Sequence, residues 1–373
     1  MNRTASRRPT KPATGRDQRL RELRDKIDAL DGRLQSLITK RAQYAQAIAK
    51  IKQLNGDKQF YRPEREAEVL SRVLARNKGP LADDTMGRLF REIMSACLAL
   101  ESPLKIAFLG PAGTFTQEAA LKHFGQSVET VPLGTIDEVF REVESGNSDF
   151  GVVPVENSTE GTINHTLDSF MLSPLKICGE VELRIHHHLL ALGDDWQVAE
   201  RIVSHQQSLA QCREWLDANY AEVERVAVSS NAEAARLAAG EPGVLAIAGE
   251  SAGKIYGLQI VARNIEDRPD NTTRFLVIGA IDTAPTGADR TTLLLASKNQ
   301  PGALHKLLEP LARHGVNMTR IESRPSRRSR WEYVFFIDID GHARDRKVAR
   351  VMTLLKREAA FYKCLGSYPR AVR

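Results

Sequence analysis

Apolar residues recur at alternating steps of three and four near the start of the chain: Leu20, Leu23, Ile27, Leu30, Leu34 and Leu37, then Arg41, Tyr44, Ile48 and Ile51. This is a heptad seam. No proline interrupts it between Asp17, which reads as an N-cap, and Pro63, so one helix of nearly 35 residues, about 50 Å long, is predicted. Asn55-Gly56 ends it. Pro63, a favoured first-turn residue, opens a second helix with Val69, Leu70, Val73 and Leu74, which Lys78-Gly79-Pro80 stops. A third helix is predicted from Asp83 to Glu101 through Leu89, Phe90, Ile93, Met94, Cys97 and Leu98, closed by Ser102-Pro103.

From Lys105 the pattern changes to short apolar runs alternating with helical stretches. The strand-like runs fall at 105–109, 150–155, 175–182, 184–192, 201–204, 244–248, 259–262 and 274–278, which is an α/β arrangement. After Thr283-Ala284-Pro285-Thr286-Gly287 a βαββαβ order follows, with strands at 291–297, 316–323, 331–340 and 361–366 and helices at 302–314 and 346–358. That order is ferredoxin-like. Four segments result: a basic tail over 1–16, expected to be disordered, an all-helical module over 17–103, an α/β domain over 104–283 and an α+β domain over 289–373.

Composition narrows the class. The chain has 373 residues, 42% hydrophobic and 27% charged, as expected of a soluble multidomain protein. No apolar run approaches the length of a membrane helix, and no hydrophobic segment follows the basic N-terminus, so a cytoplasmic location is expected. The net charge of +6 is compatible with nucleic acid or with small anions. Its clusters, the tail and Arg327-Arg328-Ser329-Arg330, lack interleaved aromatics, so anionic small molecules are the expected partners, with neither nucleic acid nor membrane. Cys97, Cys178, Cys212 and Cys364 stand singly, which indicates neither disulfides nor zinc. His186-His187-His188 lie in a strand-like run where neighbours alternate faces, so they cannot converge on one metal ion and are expected to be structural or to line a site.

Candidate chemistry sits in three polar loops, each next to a strand-like run. They are Gly110-Pro111-Ala112-Gly113-Thr114-Phe115-Thr116, the stretch from Val153 to Thr162 that contains Asn157-Ser158-Thr159-Glu160-Gly161, and Asn271-Thr272-Thr273-Arg274-Phe275. Hydroxyls and a guanidinium at a strand mouth are costly to bury alone and suggest an anionic ligand. Together the loops resemble the signatures of the prephenate dehydratase family. The resemblance implies a two-lobed α/β domain, similar to periplasmic binding proteins, with its site in the cleft between lobes. Thr273 would protonate or hydrogen-bond the leaving hydroxyl, and Arg274 and the amides around Gly113-Thr114 would take carboxylates. Asn157, Ser158, Thr159, Gln207, Gln211 and Phe275 would line the site. Gln206 and Thr116 replace the Pro and Ser usual there.

The helical module resembles the chorismate mutases fused to such dehydratases. Arg41 occupies the seam, and Lys52 adjoins it 11 residues on, about 16 Å along the same side. Spacing alone is equally compatible with side chains that snorkel along the seam edge. The resemblance assigns Arg24, Arg41 and Arg65 to substrate carboxylates, Lys52 and Glu101 to the ether oxygen and Glu66 to the ring hydroxyl. No cofactor is implied. Arg24 and Arg41 are 17 residues apart, about 25 Å on a straight helix, so both can serve one small substrate only in an intertwined dimer. Arg62, Cys97 and Glu101 depart from the Asp, Ser and Gln of familiar relatives, and Glu101 can donate only when protonated.

The C-terminal domain resembles the ACT domain of the same family. Gly302-Ala303-Leu304 and Glu322-Ser323-Arg324-Pro325 would hold phenylalanine between two such domains and inhibit the dehydratase, with Pro310 where relatives keep an apolar residue. The reading is a bifunctional enzyme that converts chorismate to prephenate and prephenate to phenylpyruvate. A dehydratase with a non-catalytic helical dimerisation module is the alternative, and a solute-binding protein or a purely regulatory protein would need a secretory signal or degenerate loops.

Overall fold

The computed structural model describes residues 15–56, 60–193, 195–298, 300–326 and 333–371. The tail over 1–14 and the Arg327–Arg330 run lie outside them. The chain divides into two compact units, 1–60 and 61–373.

In the first unit the predicted long helix is a single element, α1 (Gly15–Leu54), which begins two residues before the expected Asp17 cap. Its seam residues Leu20, Leu23, Ile27, Leu30, Leu34 and Leu37 are exposed.

The second unit opens with α2 (Pro63–Arg76) and α3 (Asp83–Ala99), with Pro63 at the first turn as its sequence position predicts. One lobe of the α/β domain then comprises β1 (Lys105–Leu109), α4 (Phe115–Phe124), β2 (Glu129–Leu133), α5 (Ile136–Glu144), β3 (Phe150–Asn157), β4 (Gly161–Thr162), α6 (Asn164–Leu172) and β5 (Lys176–Arg184). The chain crosses to a second lobe built from β6 (His188–Ala191), β7 (Arg201–His205), α7 (Gln206–Gln211), α8 (Arg213–Asn219), β8 (Glu224–Val228), α9 (Asn231–Gly240), β9 (Val244–Ala248), α10 (Glu250–Tyr256) and β10 (Gln259–Ala262). It returns as β11 (Thr272–Gly279), which inserts antiparallel between β3 and β5. The first sheet therefore runs β2-β1-β3-β11-β5, with β4 on β3, and the second runs β10-β6-β9-β7-β8. Two segments outside the strands cross between lobes, 185–187 out and 263–271 back, so both lie at the junction of the lobes. β2 and β8 were not predicted. Both are five residues long with no fully buried position, so they lack the apolar run that marks β3 or β9.

The ferredoxin-like order is observed in β12 (Asp289–Ala296), α11 (Ala303–His314), β13 (Met318–Pro325), β14 (Tyr333–Asp340), α12 (Arg346–Glu358) and β15 (Phe361–Pro369), with sheet order β13-β14-β12-β15. This sheet packs on the first lobe: Leu294, Phe336, Leu365 and Tyr368 share one buried cluster with Val153, Val155, Ile177 and Leu276. Contact is close enough at Gly366 that a Cβ there would lie 2.3 Å from the Ile177 carbonyl oxygen. Among the described residues no helix is long and apolar enough to cross a membrane.

Candidate active site

The cleft is held by direct lobe-to-lobe contacts at the glycine-rich loop. Gly113 has φ +90° and lies so close to Ala252 that a Cβ would sit 3.1 Å from its Cα, so both conformation and space require glycine. Tyr256 Oη donates to the Ala112 carbonyl at 3.0 Å and Ser251 Oγ to Glu118 Oε2 at 3.1 Å. Thr114 caps α4 by accepting from Gln117 N. The Gly113 amide, expected to receive a substrate carboxylate, instead donates to Gln117 Oε1 at 2.6 Å.

β3 and β11 bring the other two loops together, with Asn157 the register partner of Thr273. Asn157 Nδ2 donates to Thr273 Oγ1 at 2.8 Å and to Asn271 Oδ1 at 2.8 Å. Thr159 Oγ1 lies 3.5 Å from Asn271 Oδ1, and Ser158 Oγ accepts from the Thr272 amide at 2.9 Å. From the second lobe Gln211 Oε1 accepts from Asn271 Nδ2 at 2.9 Å and lies 2.9 Å from His187 Nε2. Six of the expected dehydratase residues (Thr273, Asn157, Ser158, Thr159, Gln211 and Thr114) thus belong to the cleft or its loops. Gln207 is exposed at the start of α7. Asn271 and His187 were not singled out from the sequence, although each lies in a segment that was.

Two expectations are corrected. Arg274 follows Thr273 in an extended strand, so its side chain leaves the opposite face. There it pairs with Glu180 at 2.9 Å and Asp338 at 2.6 Å and donates to Tyr368 Oη at 3.0 Å, so its fork is taken up by the C-terminal domain rather than presented to a substrate carboxylate. Phe275 is 2% exposed and packs in the core with Phe124, Phe150 and Val277, so it does not line the cleft. The His run behaves as alternation predicts. His186 pairs with Glu266 at 2.8 Å and stacks on His188, while His187 turns the other way. Among the described residues no group of three or more His, Cys, Asp or Glu could hold a metal ion.

The expected mutase residues divide between the units. Arg24 is exposed on α1, and Lys52 Nζ donates to the Phe60 carbonyl at 3.1 Å. Arg41 is half-buried on the same helix. In the second unit Arg65 is exposed and pairs with Glu68, and Glu101 follows the end of α3. Glu66 lies 3.4 Å from Arg91 in a small cavity lined also by Tyr61, Lys122 and His123. Burial raises its carboxyl above the usual range, opposed by Arg91 and Tyr61. The regulatory segment touches the cleft loop: Glu322 accepts from Thr162 Oγ1 at 2.8 Å, Arg320 pairs with Glu156 at 3.0 Å and Arg324 with Asp168 at 3.0 Å.

This arrangement has known counterparts. Residues 106–283 match the prephenate dehydratase family model, 23–102 the type II chorismate mutase model and 291–352 the ACT domain model. The bifunctional chorismate mutase/prephenate dehydratase of Stutzerimonas stutzeri is 56% identical over 359 residues, 95% of this chain and 98% of that one. The chain belongs to the bifunctional chorismate mutase/prephenate dehydratase family. The Escherichia coli K12 relative is 33% identical, covering 93% of this chain and 95% of its own. Prephenate dehydratase from Arthrobacter aurescens, solved in complex with L-Phe, is 35% identical with a TM-score of 0.66, covering 72% of this chain and 90% of that one. As a member of the family the chain is a mutase and a dehydratase in one polypeptide, the two steps from chorismate toward phenylalanine, followed by an ACT domain.

Proposed function

We propose that Thr273 is the proton donor of the dehydratase step. The observation that carries this is the direction of one hydrogen bond. Thr273 Oγ1 accepts from Asn157 Nδ2, and among the described residues its own proton has no acceptor. A hydroxyl held in this way is oriented to donate, and in prephenate the group to receive a proton is the departing ring hydroxyl. Carbon dioxide leaves as the ring becomes aromatic, phenylpyruvate and water result, and Thr273 Oγ1 regains its proton from solvent water. Positioning and a single donor suffice, because aromatisation drives the reaction. Asn157, Ser158, Thr159 and Gln211 form the wall against which the substrate rests, with Thr114 at the opposite loop.

For the mutase step the same proposal assigns Arg24, Arg41 and Arg65 to the carboxylates of chorismate, Lys52 and Glu101 to the ether oxygen and Glu66 to the ring hydroxyl. The continuity of α1 supports a homodimer in which Arg24 serves the partner's site, since a straight helix separates it from Arg41 by about 25 Å. The exposed seam of α1 offers the surface for that pairing. Phenylalanine is proposed to bind at Gly302, Ala303 and Leu304 and at Glu322, Ser323, Arg324 and Pro325. Gly302 adopts φ +73° at the N-cap of α11 with open space around it, which leaves the helix N-terminus accessible to a carboxylate.

The test follows prephenate and phenylpyruvate when pure protein is given chorismate. Thr273→Val should stop the reaction at prephenate, and Arg41→Ala should prevent prephenate from forming while added prephenate is still dehydrated. Loss of both activities by either variant, without unfolding, would refute separate sites.

A further inference from the structure

The side chains behind Thr273 can be oriented from one fixed point. Asn157 Oδ1 accepts from the backbone amides of Thr159 and Glu160 at 2.9 and 3.0 Å. Only the oxygen end of an amide can do that, so Nδ2 must face Asn271 and Thr273. Asn271 therefore presents Oδ1 to Asn157 and Nδ2 to Gln211. Gln211 Oε1 is then an acceptor, and His187 Nε2, 2.9 Å from the same oxygen, must carry the proton. The heavy-atom positions alone fix the tautomer.

His187 lies where the chain first crosses between lobes, 1% exposed, with the Phe115 ring edge-on at 5.7 Å. Phe115 is itself held by the second lobe, since a Cβ on Gly249 would sit 2.9 Å from its ring. His187 Nδ1 has no hydrogen-bond partner among the described residues, so no acceptor is at hand for a proton there, in keeping with the Nε2–H tautomer. Burial pushes the imidazole below its ordinary range, so the neutral form persists. The backbone amide of His187 donates to Glu266 Oε2 at 2.9 Å, which anchors the residue to the returning segment as well.

We infer that His187 is a positioning residue of the dehydratase: through Gln211 and Asn271 it locks the Asn157 amide against Thr273 Oγ1 and so keeps the Thr273 proton aimed at the leaving hydroxyl. The inference rests on Thr273 as the donor, and it adds both lobes to the machinery. Without a donor at His187, Gln211 Oε1 keeps only the Asn271 bond, and the amide is otherwise held by the long 3.5 Å contact from its Nε2 to Glu160 Oε1, so its orientation is less firmly fixed.

The experiment uses the full-length protein. His187→Phe keeps the ring volume and removes the donor. His187→Gln restores an N–H near the place of Nε2. Phe should lower kcat on prephenate about tenfold or more, the scale of one lost hydrogen bond, with KM within about twofold and the mutase unaffected. Gln should recover most of kcat. In a Thr273→Val background the His187→Phe effect should vanish. Equal losses for Phe and Gln, or a Phe effect undiminished by Thr273→Val, would overturn the positioning role. If Thr273→Val alone leaves kcat unchanged, the donor assignment fails instead. Nitrogen-15 spectra of the wild-type imidazoles give an answer that needs no variant: His187 should be the Nε2–H tautomer, and an Nδ1–H signal would overturn the inference.

Discussion

Arg274 and Asp338 are paired at 2.6 Å across the boundary between the dehydratase domain and the C-terminal domain, with Glu180 at 2.9 Å on the other side of the guanidinium. The residue next to the proposed proton donor is thus a bond to the central part of the regulatory sheet. Thr292 Oγ1 donates to the same Asp338 at 2.6 Å, and Arg290 pairs with Glu180, while Arg290 Nε has no hydrogen-bond partner among the described residues.

Removing one partner of a buried pair strands the other, at a cost of about 3–5 kcal/mol. Asp338→Ala is expected to lower unfolding stability on that scale in urea titrations, with most of the loss in the transition that releases the C-terminal domain. Arg274→Lys should recover only part of the stability of Arg274→Ala, because an ammonium cannot reach both carboxylates and Tyr368 with the same fork.

A different break is expected at Gly366. A methyl group there would meet backbone, not a side chain that can move, with the Ile177 carbonyl oxygen at 2.3 Å. Gly366→Ala should destabilise the protein by about 1–3 kcal/mol or more, read as a fall in urea midpoint. An unchanged midpoint would mean that β15 does not lie against β5 in solution.

His123 sets a pH dependence. It is half-buried beside Tyr61, whose Oη lies 3.2 Å from Nε2, and desolvation with the nearby Arg91 holds its pKa down to about 3. In the unfolded chain a histidine protonates near pH 6.5. Between those values the unfolded state binds more protons, so stability is full above about pH 6.5 and falls as the pH drops toward 3, by about 3 kcal/mol at pH 4. His123→Phe should flatten that limb of the stability profile. An unaltered limb would remove His123 as its cause.

The link from Glu322 to Thr162 predicts how phenylalanine acts. Thr162 pairs with Glu156, one residue before Asn157, so the cleft loop and the regulatory strand share a hydrogen bond. An effector inhibits only if it binds one state more tightly. Thr162→Val should raise the phenylalanine concentration needed for half-inhibition about fivefold, a loss of roughly 1 kcal/mol of coupling. Calorimetry should still register binding. Undiminished inhibition would place the coupling elsewhere.

Much of this was legible in the sequence. The heptad spacing led to α1 within two residues, and the three polar loops were found because each adjoins a strand-like run. Arg274 and Phe275 were misplaced for a physical reason. The alternation that separates His187 from His186 also separates Arg274 from Thr273, but in a sheet covered on both faces the sequence does not say which face is the cleft. His187 was expected only as a structural or site-lining histidine and Asn271 only as part of its loop, because their specific roles depend on Gln211 and Asn157, which only the double crossing between lobes brings near.

Strand β11 hands its consecutive residues to different neighbours: Thr273 to the cleft, Arg274 to the regulatory sheet, Phe275 to the core. Variants at adjacent positions would therefore arrive at the same outward phenotype, a strain that requires phenylalanine, by three unrelated routes. Growth alone could not tell a missing proton from a loosened domain or a hollowed core. Purified protein could, since only Thr273 variants would keep a normal unfolding curve.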